Sequence, residues 1–207
     1  MDQILFINQY IVATILLALI HGSIPNHWLP FIALSRAEKW STKKLIMIIS
    51  IGAIFHSLST AILGFFISYF GYYISSISQL EKILPTFFMV FLGMIYLIID
   101  HQEHYNDPLK KKSINPIFSV MLLYLGMFFS PCLEIEAIYF SVGRYGLTSF
   151  VLISLIYTII TLVSMLTFSY LAYKGLLKYF PKILEKYAKR MIGLVLIILG
   201  IFSFYFH

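Results

Sequence analysis

The sequence predicts an all-α polytopic membrane protein of six transmembrane helices, arranged as a 3+3 inverted repeat. Three observations lead there: the composition, the recurrence of long apolar runs, and the one-sided distribution of basic residues. Of 207 residues 60% are hydrophobic and only 12% charged, with a mean hydropathy of +0.88, whereas soluble domains carry about 25% charged residues. A soluble chain of this size could bury one core, but it could not hide such runs from end to end.

The runs lie at about 4–21, 45–70, 83–100, 116–140, 147–173 and 187–206, each suited to a hydrocarbon core ~30 Å thick. Each is expected to be helical, because a strand with open edges would leave backbone groups unpaired in lipid and the alternating pattern of a membrane barrel is missing. Residues 1–207 then form a single transmembrane domain, with halves 1–100 and 116–207 joined by a polar loop at 101–115. The first run follows Met1-Asp2-Gln3 without a basic n-region or a small-residue cleavage site, so a retained helix is expected.

Thirteen of the fifteen basic residues fall in alternate gaps: Arg36, Lys39, Lys43 and Lys44; Lys110, Lys111 and Lys112; and Lys174, Lys178, Lys182, Lys186, Lys189 and Arg190. Only Lys82 and Arg144 occupy the other two gaps. The positive-inside rule therefore puts the basic loops in the cytoplasm and both termini outside, as in a bacterial inner-membrane protein. The net charge of +6 is a topology signal, since no separate basic face for nucleic acid exists. A single cysteine, Cys132, rules out an internal disulfide.

With this orientation the first and fourth runs cross in opposite directions, and both are broken by proline. The first leads into His21-Gly22-Ser23-Ile24-Pro25-Asn26-His27-Trp28, and the fourth contains Ser130-Pro131-Cys132-Leu133-Glu134-Ile135-Glu136. Broken segments at matching places in two inverted halves point to a transporter's binding site. The expected breaks are at Gly22, Pro25 and Pro131.

These stretches also hold most of the chemistry. A carboxylate at the bilayer centre costs about 2.5–3.5 kcal/mol on an insertion scale, so Glu134 and Glu136 need a compensating partner such as a cation, a proton or Arg144. On an unbroken helix the two diverge by about 200°, whereas Cys132 and Glu136 share a face. His21 and His27 would point about 240° apart on a straight helix, so meeting at one ion requires a bend. Imidazole suits borderline transition metals, and Asn26 adds a neutral oxygen; otherwise the two histidines cap a helix end beside Trp28. His56, followed by Ser57, is a lone mid-span histidine whose ordinary role is a hydrogen-bonded core residue. Asp100, His101 and His104 open the central loop, either as a metal-gathering vestibule or as a solvated helix end. Tyrosines and phenylalanines of the spans are by default lipid-facing or packing residues.

His21-x4-Asn26-His27 resembles the His-x4-Asp-His signature of nickel/cobalt transporters. His56-Ser57 with the small-Pro-Cys element Ser130-Pro131-Cys132 is similar to the wider nickel/cobalt-efflux and urease-accessory transmembrane family. The resemblance implies that His21, Asn26, His27 and His56 belong to a metal path, with Asn26 where the signature has aspartate; Glu134 and Glu136 are then candidates for the missing charge.

The expected function is secondary transport, more in the direction of efflux, of a divalent transition-metal cation such as nickel or cobalt. The metal is substrate rather than tightly bound cofactor, and protons compete at the same groups. No enzyme activity is expected. The partners are the bilayer, the metal ion and protons, with room for a homo-oligomer and no nucleic acid. Three alternatives stand beside it. An intramembrane metal-dependent enzyme lacks a His-Glu-x-x-His frame. A thiol or electron carrier resembling cytochrome c biogenesis membrane proteins lacks a second cysteine. An exporter of a small organic anion sits poorly with two intramembrane carboxylates.

Overall fold

The computed structural model describes residues 2–75, 80–98, 116–176 and 180–205, and among them all regular structure is helical. In chain order the helices are α1 (Asp2–Ser23), α2 (Pro25–Ala37), α3 (Thr42–Ser75), α4 (Leu80–Ile98), α5 (Pro116–Phe128), α6 (Leu133–Gly143), α7 (Leu147–Tyr173) and α8 (Phe180–Tyr205). Among the described residues four stretches are long and apolar enough to cross a membrane: Ile7–Ala37, Thr42–Tyr73, Pro116–Gly143 and Leu147–Tyr173. The third and sixth predicted runs are occupied by α4 and α8, whose apolar stretches among the described residues are the shorter Thr86–Ile95 and Arg190–Ile201.

The first and third of those four stretches are broken. α1 ends at Ser23, Ile24 is extended at φ −65° and ψ 126°, and the chain restarts at Pro25, where a missing N–H costs nothing because the first-turn donors have no helical partner. Between α5 and α6 the break covers 129–132, with Cys132 extended at φ −79° and ψ 105°. Gly22, expected as a break, lies inside α1 instead. Its role is close approach: a Cβ there would sit 2.8 Å from Ser164 Cβ and 2.9 Å from the Thr161 carbonyl oxygen of α7.

Burial runs opposite to that of a water-soluble bundle. On α3, Phe55, Leu58, Ile62, Phe65 and Phe66 face outward while His56, Ser57, Ser59, Thr60 and Ser68 are buried. On α7, Leu152, Leu155, Ile159 and Val163 face outward while Ser149, Tyr157, Thr161, Ser164 and Ser169 are buried. An apolar exterior around polar inner stripes is compatible with an integral membrane protein, since lipid gives no reason to hide leucine and strong reason to hide hydroxyls.

Two apolar clusters fill the interior. One joins Tyr10 and Leu17 of α1 to Ile135, Ile138 and Tyr139 of α6, with Ile153 of α7 and Leu196 of α8. The other joins Trp28, Phe31 and Ile32 of α2 to Leu45, Ile49 and Ala53 of α3, with Met127 of α5 and Met165 of α7. The breaks lie where the two clusters meet, because Cys132 belongs to the first and Met127 to the second.

Small residues let α3 and α6 touch backbone to backbone: a Cβ at Gly143 would overlap the Ser68 carbonyl, and one at Gly71 the Phe140 carbonyl. Such seams supply the van der Waals packing that holds helices together where a hydrophobic drive is absent. A backbone carbonyl cannot rotate away, so Gly143→Ala should lower stability by about 1–3 kcal/mol, the usual cost of overpacking. Thermal unfolding in detergent measures it; a melting temperature equal to the parent's would show that the seam is loose.

Candidate metal centre

The two breaks bring four helical elements to one place. His21 ends α1, His27 opens α2, His56 lies mid-way along α3, and Cys132 and Glu134 begin α6. Because the chain turns at Ile24, His21 and His27 no longer obey the angle of a straight helix, and their ring centroids lie 4.4 Å apart. His56 stacks on His21 at 5.2 Å with 6° between planes, and lies 5.0 Å from His27. His21, His56, Cys132 and Glu134 are 3%, 1%, 2% and 7% exposed, so four of the five donors are withdrawn from the outer surface; His27 is half-buried.

Hydrogen-bond directions follow from one fixed acceptor. His56 Nδ1 is 3.3 Å from the Met127 carbonyl oxygen, which can only accept, so Nδ1 carries the hydrogen. With both rings neutral, His56 Nε2 is then a bare lone pair, and His21 Nε2–H donates to it at 3.0 Å. That leaves His21 Nδ1 as an acceptor, 3.4 Å from Cys132 Sγ and 3.8 Å from Glu134 Oε2. The Cys132 thiol donates to Glu134 Oε2 at 2.7 Å. The carbonyl freed where α5 stops thus sets the tautomers of two histidines, as outer partners do for metal-binding imidazoles.

Among the described residues, candidate ligand atoms fall into two triads, His21–His27–His56 and His21–Cys132–Glu134, with the atoms of each within 4.8 Å of one another. Transition-metal ions take three such side chains and keep further positions for water or a moving ligand. Comparison with known protein families, characterised proteins and solved structures gives no match. The chemistry therefore rests on the geometry and on the donor types.

Several expected site residues lie elsewhere. Glu136 is in neither triad; it is 2% exposed, and neither carboxylate oxygen has a hydrogen-bond partner among the described residues. The expectation that Cys132 shares a face with Glu136 fails for a physical reason: Cys132 is extended rather than helical, so its side chain meets Glu134 instead. Nor does Arg144 neutralise Glu136, whose carboxylate oxygens find no partner among the described residues; its guanidinium donates to the Tyr145 hydroxyl at 2.7 Å and lies over that ring. Ser130 is exposed, and Ser57 is buried with its hydroxyl unbonded. The Asn26 side chain and residues Asp100, His101 and His104 lie outside the described residues.

Two neighbours were not marked by the sequence reading. Tyr157 is 1% exposed with its ring 6.2 Å from His21, so it is a wall of the site rather than a lipid-facing tyrosine. The i, i+4, i+7 row Tyr157-Thr161-Ser164 in an otherwise apolar run was the available signal. Thr60, one turn after His56, accepts from the Cys132 backbone N–H at 3.1 Å and donates to the His56 carbonyl at 2.9 Å. It fastens the start of α6 to the histidine-bearing turn of α3. Thr60→Val would leave a buried N–H unpaired, at a cost of about 1–3 kcal/mol, while Thr60→Ser keeps the bond. Comparing the melting of the two variants checks this; equal losses would mean that the methyl group, not the hydroxyl, matters.

Proposed function

We propose that this protein is a secondary transporter of a divalent transition-metal cation, with the His21–His27–His56–Cys132–Glu134 cluster as its substrate site. The observation that carries the reading is the convergence of three imidazoles, from three helices and both sides of a helix break, on one buried spot. Core histidines seldom meet in threes, and a thiol and a carboxylate reach the same cluster. Nitrogen with sulfur and carboxylate oxygen suits nickel, cobalt, copper or zinc better than magnesium or calcium, which take oxygen ligands.

In this reading α4 and α8 complete six spans, and the broken pairs α1–α2 and α5–α6 are equivalent parts of two inverted halves. The basic loops face the cytoplasm and the termini face outward, in a bacterial inner membrane. Half-helix ends then meet at mid-membrane, where freed carbonyls and first-turn N–H groups can serve an ion. An ion bound at His21 Nε2 takes the place of the proton that this nitrogen donates to His56. The proton shifts to Nδ1 without leaving the site, and the proton released is that of the Cys132 thiol, which an ion bonding Sγ displaces from its hydrogen bond to Glu134 Oε2. Metal and proton thus compete for one hydrogen-bonded chain, so exchange of one for the other needs no separate machinery. Efflux of metal against protons is the direction proposed.

Flux of nickel, cobalt or zinc into proteoliposomes under an imposed pH gradient tests the reading. His21→Ala should abolish flux, and Glu134→Gln, which removes a charged ligand, should weaken metal binding. Glu136→Gln should bind metal like the parent, because Glu136 touches neither triad. Parent-like flux from His21→Ala and Glu134→Gln would remove the support for a metal substrate.

A further inference from the structure

His21 is the one side chain common to both triads, and its two ring nitrogens serve different sets of neighbours. Nε2 is 3.0 Å from His56 Nε2, and the His27 ring lies 4.4 Å from the His21 ring and 5.0 Å from the His56 ring. Nδ1 is 3.4 Å from Cys132 Sγ and 3.8 Å from Glu134 Oε2. The two lone-pair directions of an imidazole diverge in the ring plane, so one ion cannot bond both nitrogens. A cation held by His21, His27 and His56 and a cation held by His21, Cys132 and Glu134 are therefore in different places.

We propose that the cluster is two adjacent cation positions sharing His21, an all-nitrogen one and a thiolate–carboxylate one, and that a transported ion passes from one to the other around this imidazole. The proposal rests on the metal-transport reading and specifies the site within it. The two positions differ in charge and in softness. Three neutral imidazoles leave a divalent ion its full charge in a poorly solvated interior, whereas a thiolate and a carboxylate cancel it, the thiol proton leaving as the metal binds. The Cys132–Glu134 position is thus where an ion rests, and its sulfur favours soft and borderline ions such as zinc or copper(I) over manganese or magnesium. The tri-histidine position, whose His27 is half-buried while the other donors are buried, is the outer of the two. Three protein ligands on each side, with one shared, fall short of the closed four-ligand set of a structural metal site. An ion that must leave again needs that shortfall.

The test uses the purified full-length protein in detergent with cobalt(II) as the probe, read by equilibrium dialysis and by the thiolate-to-cobalt charge-transfer absorption. The parent should bind cobalt and show the band. Cys132→Ser should lose the band yet still bind cobalt through the histidines, and His27→Ala should keep both the band and bound cobalt. Variants are compared only where their thermal melting matches the parent's, with Cys132→Ala in reserve, and the parent spectrum is decisive by itself. A parent that binds cobalt without the band would overturn the proposal, because Cys132 would not be a ligand. Loss of all cobalt binding in either folded variant would also overturn it, because one ion would then be using both ligand sets; in both cases the transport reading stands. A parent that binds neither cobalt, zinc nor nickel would overturn the transport reading as well.

Discussion

The 3.0 Å hydrogen bond between His21 and His56 ties the end of α1 to the middle of α3, and the Met127 carbonyl behind it adds the end of α5. Each partner is buried, so each polar atom that failed to find its neighbour would carry a desolvation cost of about 1–3 kcal/mol. The chain meets this constraint by interrupting helices. Pro131, four residues on, has no N–H to offer the Met127 carbonyl, which is left to orient His56. Had α1 continued past Ser23, His27 would have faced away from His21. The breaks are therefore what allows these donors to meet.

The surrounding packing serves the same end. Polar side chains on α3 and α7 turn inward among buried apolar ones, and lipid tails, as apolar as leucine, would supply no hydrophobic drive to bring the helices together. Close approach does the pulling instead: Gly22 against Ser164, and Gly71 and Gly143 against opposing carbonyls. Ser164 adds a hydrogen bond to the Leu19 carbonyl at 2.9 Å, two residues before His21. Thr60 does the equivalent for Cys132. Hydroxyl groups thus fix the segments that carry His21, His56 and Cys132.

Helicity and the two interruptions were legible in the sequence because hydropathy and proline act locally. Pro25 and Pro131 announce breaks within a residue or so of where they fall, and His21, His27, His56, Cys132 and Glu134 stood out as polar groups in apolar surroundings. What was not legible depended on dihedrals and on long-range contacts. Gly22 serves close approach to Ser164 rather than a break, and that neighbour is more than 140 residues away. The pairing of Cys132 with Glu134 rather than with Glu136 follows from the extended conformation of Cys132, which spacing on an ideal helix cannot reveal. Tyr157 was hidden among other aromatic residues because a tyrosine in an apolar run carries no sign of which way it faces. The division of the ligands into two triads rests on which nitrogen of His21 meets which partner, and this is information only the folded chain holds.

Whether this buried cluster takes up a transition metal is tested most directly by anomalous diffraction from crystals of the protein soaked in zinc. An anomalous peak is expected beside His21, within bonding distance of either His27 and His56 or Cys132 and Glu134. Zinc found only at surface side chains, with the His21–His56 hydrogen bond intact, would contradict that expectation.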